Sequence, residues 1–515
     1  MGCAARPGRV AYHRRVRIVF VAAECEPWAK TGGLGDVVDA LARALGRIAD
    51  GPGRPVEVYL PRYRSVPVPT DAVDAGPLEV PDPYAAGGRT TIRRLEVAAD
   101  GYRLRLIDAP AAYDRPGFYD HPDDAWRFGL LGRASLEWLR ADVAAGDEPP
   151  DVIHLHDWHA CPIALFRDGP YAADPTVGRA ALVLTLHNLA YHGWTPRESV
   201  RQLGLTAADG VLPRDADGVD LLRCGVERAE LVNTVSPTYA EEARTPELGF
   251  GLDAILRARG DRFDGILNGL DPVVWDPATD TALAARYDRA MPGGKAACRA
   301  DLLGRLAMDP DDRRPILGAI GRLDPQKGFD ILVDATPALV ADGVRVVAQA
   351  TGDPAIAAGL RALEARHPGR VAFIERFDRE MARRIYAGCD AILVPSRFEP
   401  SGLVQMIGMR YGSPPIAHAT GGLVDSIVDA TRSPGTGTGF LFDRPTGDAL
   451  AAAVGRATAI RGDGDRPTWL AIRDRAMAAD FGWEAGPAPA YLAHYRRAIA
   501  LRRADRDRSR SATIG

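Results

Sequence analysis

Strand-length runs of Val, Ile, Leu and Ala, bounded by turn residues and separated by helix-length segments, recur through most of this chain. Apolar runs without polar alternation suit strands buried on both faces, and strands that alternate with helices form parallel sheets covered by those helices. In the first half the runs predict strands at Val16–Ala22, Val56–Leu60, Val152–Leu155, Ala181–Leu186 and Leu231–Val235. Arg89–Ala98 and Tyr102–Ile107, parted by Asp100-Gly101, predict a hairpin inserted in that half. In the second half they predict strands at Ile316–Ile320, Val344–Ala348, Val371–Ile374, Ala391–Val394 and Pro415–Ala417. Two such series make two doubly wound domains, and 515 residues are in any case too many for one ordinary core.

The turn-rich stretch Gly265–Asp271, with Pro272, Asp276-Pro277 and Pro292-Gly293-Gly294 behind it, joins the two series. The expected division is an N-terminal extension 1–15, disordered, and a first domain 16–264. A second domain 265–480 follows, then a C-terminal helix 481–503 crossing back to the first domain and a disordered tail 504–515 rich in Arg, Asp and Ser.

Charge and cysteine usage narrow the function classes. A formal net charge of −4 leaves no footprint for nucleic acid or an anionic membrane. The apolar runs are strand-sized, too short to span a bilayer. Cys3, Cys25, Cys161, Cys224, Cys298 and Cys389 lack paired spacing, which suits free thiols in a reducing cytosol and neither a disulfide framework nor a zinc site. Arg6 stands where a myristoylation signal needs Ser or Thr. Arg14-Arg15 precedes an apolar run, as in export signals, but that run is short and ends at Glu24, so it reads as a buried first strand. The expected location is cytoplasmic.

Two loops far apart read almost alike: Thr31-Gly32-Gly33-Leu34-Gly35-Asp36 and Thr420-Gly421-Gly422-Leu423-Val424-Asp425. Each follows a predicted strand and opens a predicted helix, where bare glycine amides and the helix dipole favour an anion. Lys30 adds a positive charge to the first, and Asp36 offers an acceptor for sugar hydroxyls. The dinucleotide fingerprint G-x-G-x-x-G is absent there, which argues against a nicotinamide enzyme. Spacing alone does not separate an anion site from an ordinary strand-to-helix turn.

Arg322 and Lys327 lie in Gly321–Gly328, at the carboxyl end of a predicted strand, where open α/β sheets bind ligands. Together they match a diphosphate, although alone the stretch also reads as a solvated basic turn. Ser396–Leu403 is a second strand-to-helix loop, whose Gly402 and Leu403 amides suit phosphate oxygens and whose Glu399 suits sugar hydroxyls or developing positive charge. A plain surface glutamate is the competing reading. Val152–His159 ends a strand with His154, His156, Asp157 and His159. Strand alternation turns His154 and His156 one way and Asp157 the other, and no H-E-x-x-H pattern is present, so metal binding is disfavoured. His187, ending the next strand, tops the sheet adjoining Asp157 and suits a substrate role.

Taken together these residues resemble the bacterial glycogen synthases and plant starch synthases, which are retaining, ADP-glucose-dependent GT-B glucosyltransferases. The resemblance runs through Lys30–Val37, Asp108–Pro110, Tyr113–Gly117, Asp151–His159, Thr185–Gly193, Val235–Ala240, Ile266–Asp271 and Trp275. It continues through Arg322–Gly328, Pro395–Leu403, Tyr411-Gly412, Thr420–Asp425 and Asp480–Trp483, nearly the whole chain in family order. It implies a GT-B fold, two Rossmann-like doubly wound parallel-sheet domains facing across a cleft. It implies transfer of glucose from ADP-glucose to the non-reducing-end 4-hydroxyl of an α-1,4-glucan (glycogen or maltooligosaccharide), with no cofactor and no metal, ADP-glucose being a substrate.

By the same resemblance the catalytic set is His187, Glu399, Arg322, Lys327 and Asp157. ADP-glucose is held by Lys30, Gly32, Gly33, Asp36, Asn268, Arg322, Lys327, Phe377, Gly402, Leu403, Thr420, Gly421 and Gly422. His187 touches the donor glucose, Arg322 and Lys327 neutralise the departing diphosphate, Glu399 lies beside the glucose hydroxyls, and Phe377 stacks on adenine. This chain departs from the family at Ser401 (usually Cys), Val404 (Thr or Asn) and Arg223 (Lys). Gln349–Asp353 is poorer in glycine, and the segment Phe118–Arg127 is shorter than the family's and lacks the family's Tyr-containing acceptor stretch before Arg127-Phe128. The shortened segment motivates the alternative of a retaining transferase with a smaller acceptor.

Overall fold

The computed structural model describes residues 16–48, 54–212, 217–310, 312–462 and 466–514. The expected extension 1–15 lies outside the described residues. Strands of the first half are β1 (Ile18–Val21), β2 (Val56–Pro61), β3 (Val73–Pro81), β4 (Arg89–Ala98), β5 (Tyr102–Asp108), β6 (Val152–His156) and β7 (Ala181–Leu186). They continue with β8 (Trp194–Pro196), β9 (Gly218–Asp220), β10 (Leu231–Thr234) and β11 (Phe263–Gly265). Those of the second half are β12 (Ile316–Leu323), β13 (Arg345–Gly352), β14 (Val371–Ile374), β15 (Ala391–Val394), β16 (Pro415–His418) and β17 (Phe440–Phe442).

One sheet has the order β11-β10-β7-β6-β1-β2-β5-β4-β3 and the other β14-β13-β12-β15-β16-β17, with β8 and β9 a separate antiparallel pair. The second sheet is parallel in every pairing. Every residue of β1, β2, β6, β7 and β10 is buried, as the unalternating apolar runs require. The predicted hairpin β4/β5 is part of the sheet, because β5 pairs in parallel with β2. β3, unforeseen, pairs antiparallel with β4 at the edge. Gly76, Pro77 and Pro81 mask it in the sequence, and an edge strand tolerates them because one side of its backbone needs no partner.

By internal contacts the chain divides into two units, one comprising residues up to Leu184, Tyr191–Leu231 and residues from Ala488 on, the other Thr185–Ala190 and Val232–Pro487. Contacts therefore group 232–264 with the second half, although the turn-rich stretch begins only at Gly265. The reason lies in the helix Pro237–Glu242, whose polar groups bond the loops at Pro400, Thr420 and Asp425.

The last helix runs Pro487–Ile514, so the expected disordered tail 504–515 is helical as far as Ile514. Arg502 anchors it, donating to the Gly178 carbonyl and pairing with Glu230 at 3.3 Å. Asp505 and Arg508, three residues apart, pair on the next turn. Opposite charges at helical spacing extend a helix that composition alone reads as a solvated tail.

In the first unit one buried carboxylate is shared between two buried guanidinia. Glu57, at 2% exposure, bonds Arg17 at 2.8 and 3.0 Å and pairs with Arg105 at 3.0 Å. Arg105 also pairs with Asp142 at 2.7 Å and lies over the Trp138 ring. Burial pushes the Glu57 carboxyl up, but the Arg17 hydrogen bond and the charges of Arg105 and Arg17 outweigh it, so Glu57 titrates below the ordinary glutamate range. Its stabilising share is complete above that range and is lost as pH falls below it. Glu57→Ala leaves two buried guanidinia short of a partner and should cost about 3–5 kcal/mol in chemical denaturation. A loss below about 1 kcal/mol would show that Asp142 and Glu96 suffice.

Candidate active site

In the first unit, Lys30 to Asp36 lead from β1 into the helix Gly33–Arg47. Glu24, just past β1 and 3% exposed, organises this turn. Its Oε2 accepts from the Thr31 and Gly32 amides at 2.6 and 3.0 Å, and its Oε1 from Thr31 Oγ1 and Tyr119 Oη at 2.7 and 2.6 Å. The Gly32 amide, expected to face a phosphate, therefore has an internal carboxylate partner. A Cβ built at Gly32 or Gly33 would nonetheless meet nothing within 4 Å, and neither has a positive φ. Neither packing nor backbone conformation demands glycine at these two positions. The open space above them is what close approach of a ligand needs. Lys30 Nζ lies 2.5 Å from Asp36 Oδ1 and 3.5 Å from Glu26.

Asp157 caps a tight turn after β6 with φ 57° and ψ −175°, a region that residues other than glycine rarely occupy. Aromatic packing holds that turn: Trp158 stacks near His159 at 4.1 Å, Phe128 meets Trp158 at 5.0 Å, and Tyr119 of the shortened segment lies 4.7 Å from His159. Gly193, at φ 65°, is required here, since a Cβ would lie 2.1 Å from the Trp158 ring. His154 and His156 belong to the core. Their rings pack on each other and on Phe20, and Tyr495 Oη of the last helix lies 2.9 Å from His154 Nδ1. Among the described residues no group of three His, Cys, Asp or Glu is placed to hold a metal ion.

In the second unit Arg322 is the penultimate residue of β12, Lys327 lies just beyond that strand, and Glu399, Gly402 and Leu403 lie beyond the carboxyl end of its parallel neighbour β15. Lys327 Nζ meets both Glu399 oxygens at 2.8 and 2.7 Å, and Ser396 Oγ donates to Glu399 Oε2 at 2.8 Å. The turn carrying Lys327 is pinned: Asp324 accepts from the Lys327 amide, and Gly328 at φ 67° passes so near Pro395 that a Cβ would lie 2.1 Å from its carbonyl oxygen. Arg322 is 58% exposed and pairs with Asp324 at 3.2 Å. The two expected diphosphate-binding cations, Arg322 and Lys327, thus stand beside carboxylates, as does Lys30, expected to contact ADP-glucose. Asn268 Oδ1 and Ser401 Oγ are buried without a hydrogen-bond partner, which suits groups awaiting a polar ligand. Phe377 is 78% exposed, a bare ring after β14 with the Arg379 guanidinium 5.9 Å from its centre.

The second glycine turn differs from the first. Gly421 N and Thr420 Oγ1 donate to Glu242 Oε1, both at 2.9 Å, and Gly422 N donates to the Glu399 carbonyl at 3.0 Å. A Cβ at Gly421 would lie 2.1 Å from the Glu399 carbonyl oxygen, and one at Gly422 would lie 2.2 Å from that of Ser401. In the turn at Thr420, Gly421 and Gly422, expected to hold an anion, two of the amides have partners inside the protein, and the glycines allow the turn to lie against the Glu399–Ser401 loop. Glu24 and Glu242, which organise the two turns, went unnoticed in the sequence. Each lies outside the glycine motif it serves.

Burial lowers the His187 imidazole to about 3. Its folded value lies below the unfolded one, so the neutral ring's share of stability is complete above pH 6.5 and is lost as pH falls from there toward about 3. The ring at the end of β7 is therefore a neutral hydrogen-bonding group at working pH. The His187 ring resonances should show no titration between about pH 5 and 9 in an NMR pH series. An inflection near pH 6.5 would refute the neutral assignment.

Comparison with known proteins agrees with this architecture. Residues 17–258 match the starch synthase catalytic domain family, and residues 314–459 match glycosyl transferases group 1. A glycogen synthase of Acidiphilium cryptum (strain JF-5) is 40% identical over 497 residues, covering 93% of this chain and 99% of that protein. The catalytic domain of starch synthase IV from Arabidopsis thaliana, solved bound to ADP and acarbose, superposes with a TM-score of 0.86 at 32% identity, over 94% of this chain and 99% of that one. A sucrose-phosphate synthase from Thermosynechococcus elongatus shares the fold, with a TM-score of 0.58 at 22% identity, over 94% of this chain and 100% of that one. This chain belongs to the glycogen and starch synthase family of GT-B glucosyltransferases.

Proposed function

We propose that this glucosyltransferase moves glucose from ADP-glucose to the non-reducing-end 4-hydroxyl of an α-1,4-glucan, with retention of configuration. One arrangement supports the chemistry above the others: Lys327 held by both oxygens of Glu399 beyond the ends of β12 and β15. Breaking the C1–O bond of the donor builds positive charge on the sugar and negative charge on the leaving diphosphate. A lysine and a glutamate in contact offer one partner to each. As charge develops, Lys327 turns toward the diphosphate and Glu399 toward the sugar, an interaction stronger in the transition state than in the ground state.

Arg322, exposed beside Asp324, completes the clamp on the diphosphate, and Lys30 with the open Gly32-Gly33 turn approaches the phosphates. The amides of Gly402 and Leu403 add donors there. Neutral His187 and the acceptors Asp36 and Asn268 Oδ1 orient the glucose, Asp157 lies near the reacting groups, and Phe377 gives adenine a face to stack on. The acceptor hydroxyl attacks from the side the diphosphate leaves, and the diphosphate takes its proton. Side chains meet the developing charge in this scheme, which invokes no metal ion or cofactor. We place the protein in the cytoplasm, as the five described cysteines are buried free thiols.

The deciding experiment is incorporation of label from ADP-glucose into glycogen, beside UDP-glucose as donor and maltose as acceptor. Extension of glycogen by ADP-glucose is expected; donor turnover without glucan extension would reject the acceptor assignment. Lys327→Ala should lower kcat about 100- to 1,000-fold, as loss of one preorganised charge partner does, with glucan affinity unchanged. A defect confined to glucan affinity would remove Lys327 from the chemistry.

A further inference from the structure

Glu399 owes its position to a short helix distant in sequence. Its own carbonyl accepts from Gly422 N, and the next carbonyl, Pro400, accepts from Ser236 Oγ at 2.7 Å. Gln405 Nε2 donates to the carbonyls of Ser401 and Gly402, both at 3.0 Å. Each carbonyl from Glu399 to Gly402 is therefore bonded, two of them by residues outside the loop and its own helix. Ser236 caps the helix Pro237–Glu242, accepting from Tyr239 N. The same helix binds both ends of the glycine turn against which the loop lies. Glu242 takes Thr420 Oγ1 and Gly421 N, while Thr238 gives its amide and hydroxyl to Asp425 at 2.8 and 2.7 Å. Thr238 and Glu242 are four residues apart, on one helical face. The carboxylates run in opposite directions, Glu242 from the helix to the turn and Asp425 from the turn to the helix.

We propose that Ser236, Thr238 and Glu242 are positioning residues for Glu399, Ser236 through the Pro400 carbonyl and Thr238 and Glu242 through the Thr420–Asp425 turn. This rests on the role given to Glu399 above. With φ 45° at Gly421 and its amide donating to Glu242, the turn sits with two glycines directly against the loop carbonyls. A displaced turn gives up the Gly422–Glu399 hydrogen bond. The Glu399 backbone then moves relative to Lys327, which belongs to another segment. Reacting groups misplaced by about 1 Å lose roughly a hundredfold in rate, so the expected effect is on turnover.

The test compares Glu242→Ala, Glu242→Gln, Thr238→Val and Glu399→Gln, measuring kcat, KM for ADP-glucose and the Kd for ADP. Glu242→Ala should lower kcat about 10- to 100-fold with ADP affinity within about twofold of wild type. Glu242→Gln, which keeps an acceptor for Thr420 and Gly421, should restore kcat to within about threefold. Thr238→Val should lower kcat several-fold while remaining folded, which covers the case in which Glu242→Ala does not fold. Combined with Glu242→Ala it should cost less than the product of the two, since both act through one turn. Unchanged kcat in a folded Glu242→Ala or in Thr238→Val would overturn the proposal. So would a parallel loss of kcat and ADP affinity with no rescue by glutamine, which marks general disruption. If Glu399→Gln is itself fully active, the role of Glu399 has failed; if it is crippled while the helix variants are not, only the positioning role has.

Discussion

A buried-edge ion pair between Lys327 and Glu399 is the interaction around which the second unit is arranged. Taking a carboxylate and an ammonium out of water is costly unless geometry and further hydrogen bonds compensate. Here both carboxylate oxygens face the lysine, Ser396 adds a third bond, and Glu399 is 6% exposed. Such a pair holds two opposite charges in one place without either losing its partner before substrate arrives. On the function proposed above, such preorganisation costs little at the moment of reaction, which is the usual basis of electrostatic catalysis.

The two T-G-G turns show how one short pattern serves two ends. Both follow a strand, both open a helix, and both have a glutamate accepting from the turn. In the first, the glutamate binds Thr31 and Gly32 from below and the glycines have open space on the far side. In the second, both glycines abut loop carbonyls and no room is left. Packing therefore demands glycine in the second turn, to bring two loops together, and does not demand it in the first.

The histidine-rich strand end divides in a similar way. His154 and His156 are drawn into packing by Phe20 and the last helix, while Asp157 is turned back by an unfavourable backbone angle. Strain of this kind persists only where surrounding packing over-determines it, and the Tyr119–His159–Trp158–Phe128 stack does so. The last helix also reaches Glu230, which bonds Arg167 and the Leu182 amide.

The amino-acid sequence by itself determined the two parallel-sheet series, most of their strands, the positions of the strand-to-helix glycine loops and the family. Apolar runs and strand-to-helix glycines are local signals, set within a few residues by backbone sterics and burial. Only the tertiary structure decided which glycine turn stays open, that β3 closes an edge despite its prolines, and that the charged tail continues a helix. It alone revealed Glu24 and Glu242 as the holders of the two turns, because a hydrogen bond between Glu242 and Gly421 spans 179 residues. No periodicity records such a pairing; it exists once the folded backbone brings donor and acceptor within 3 Å of each other.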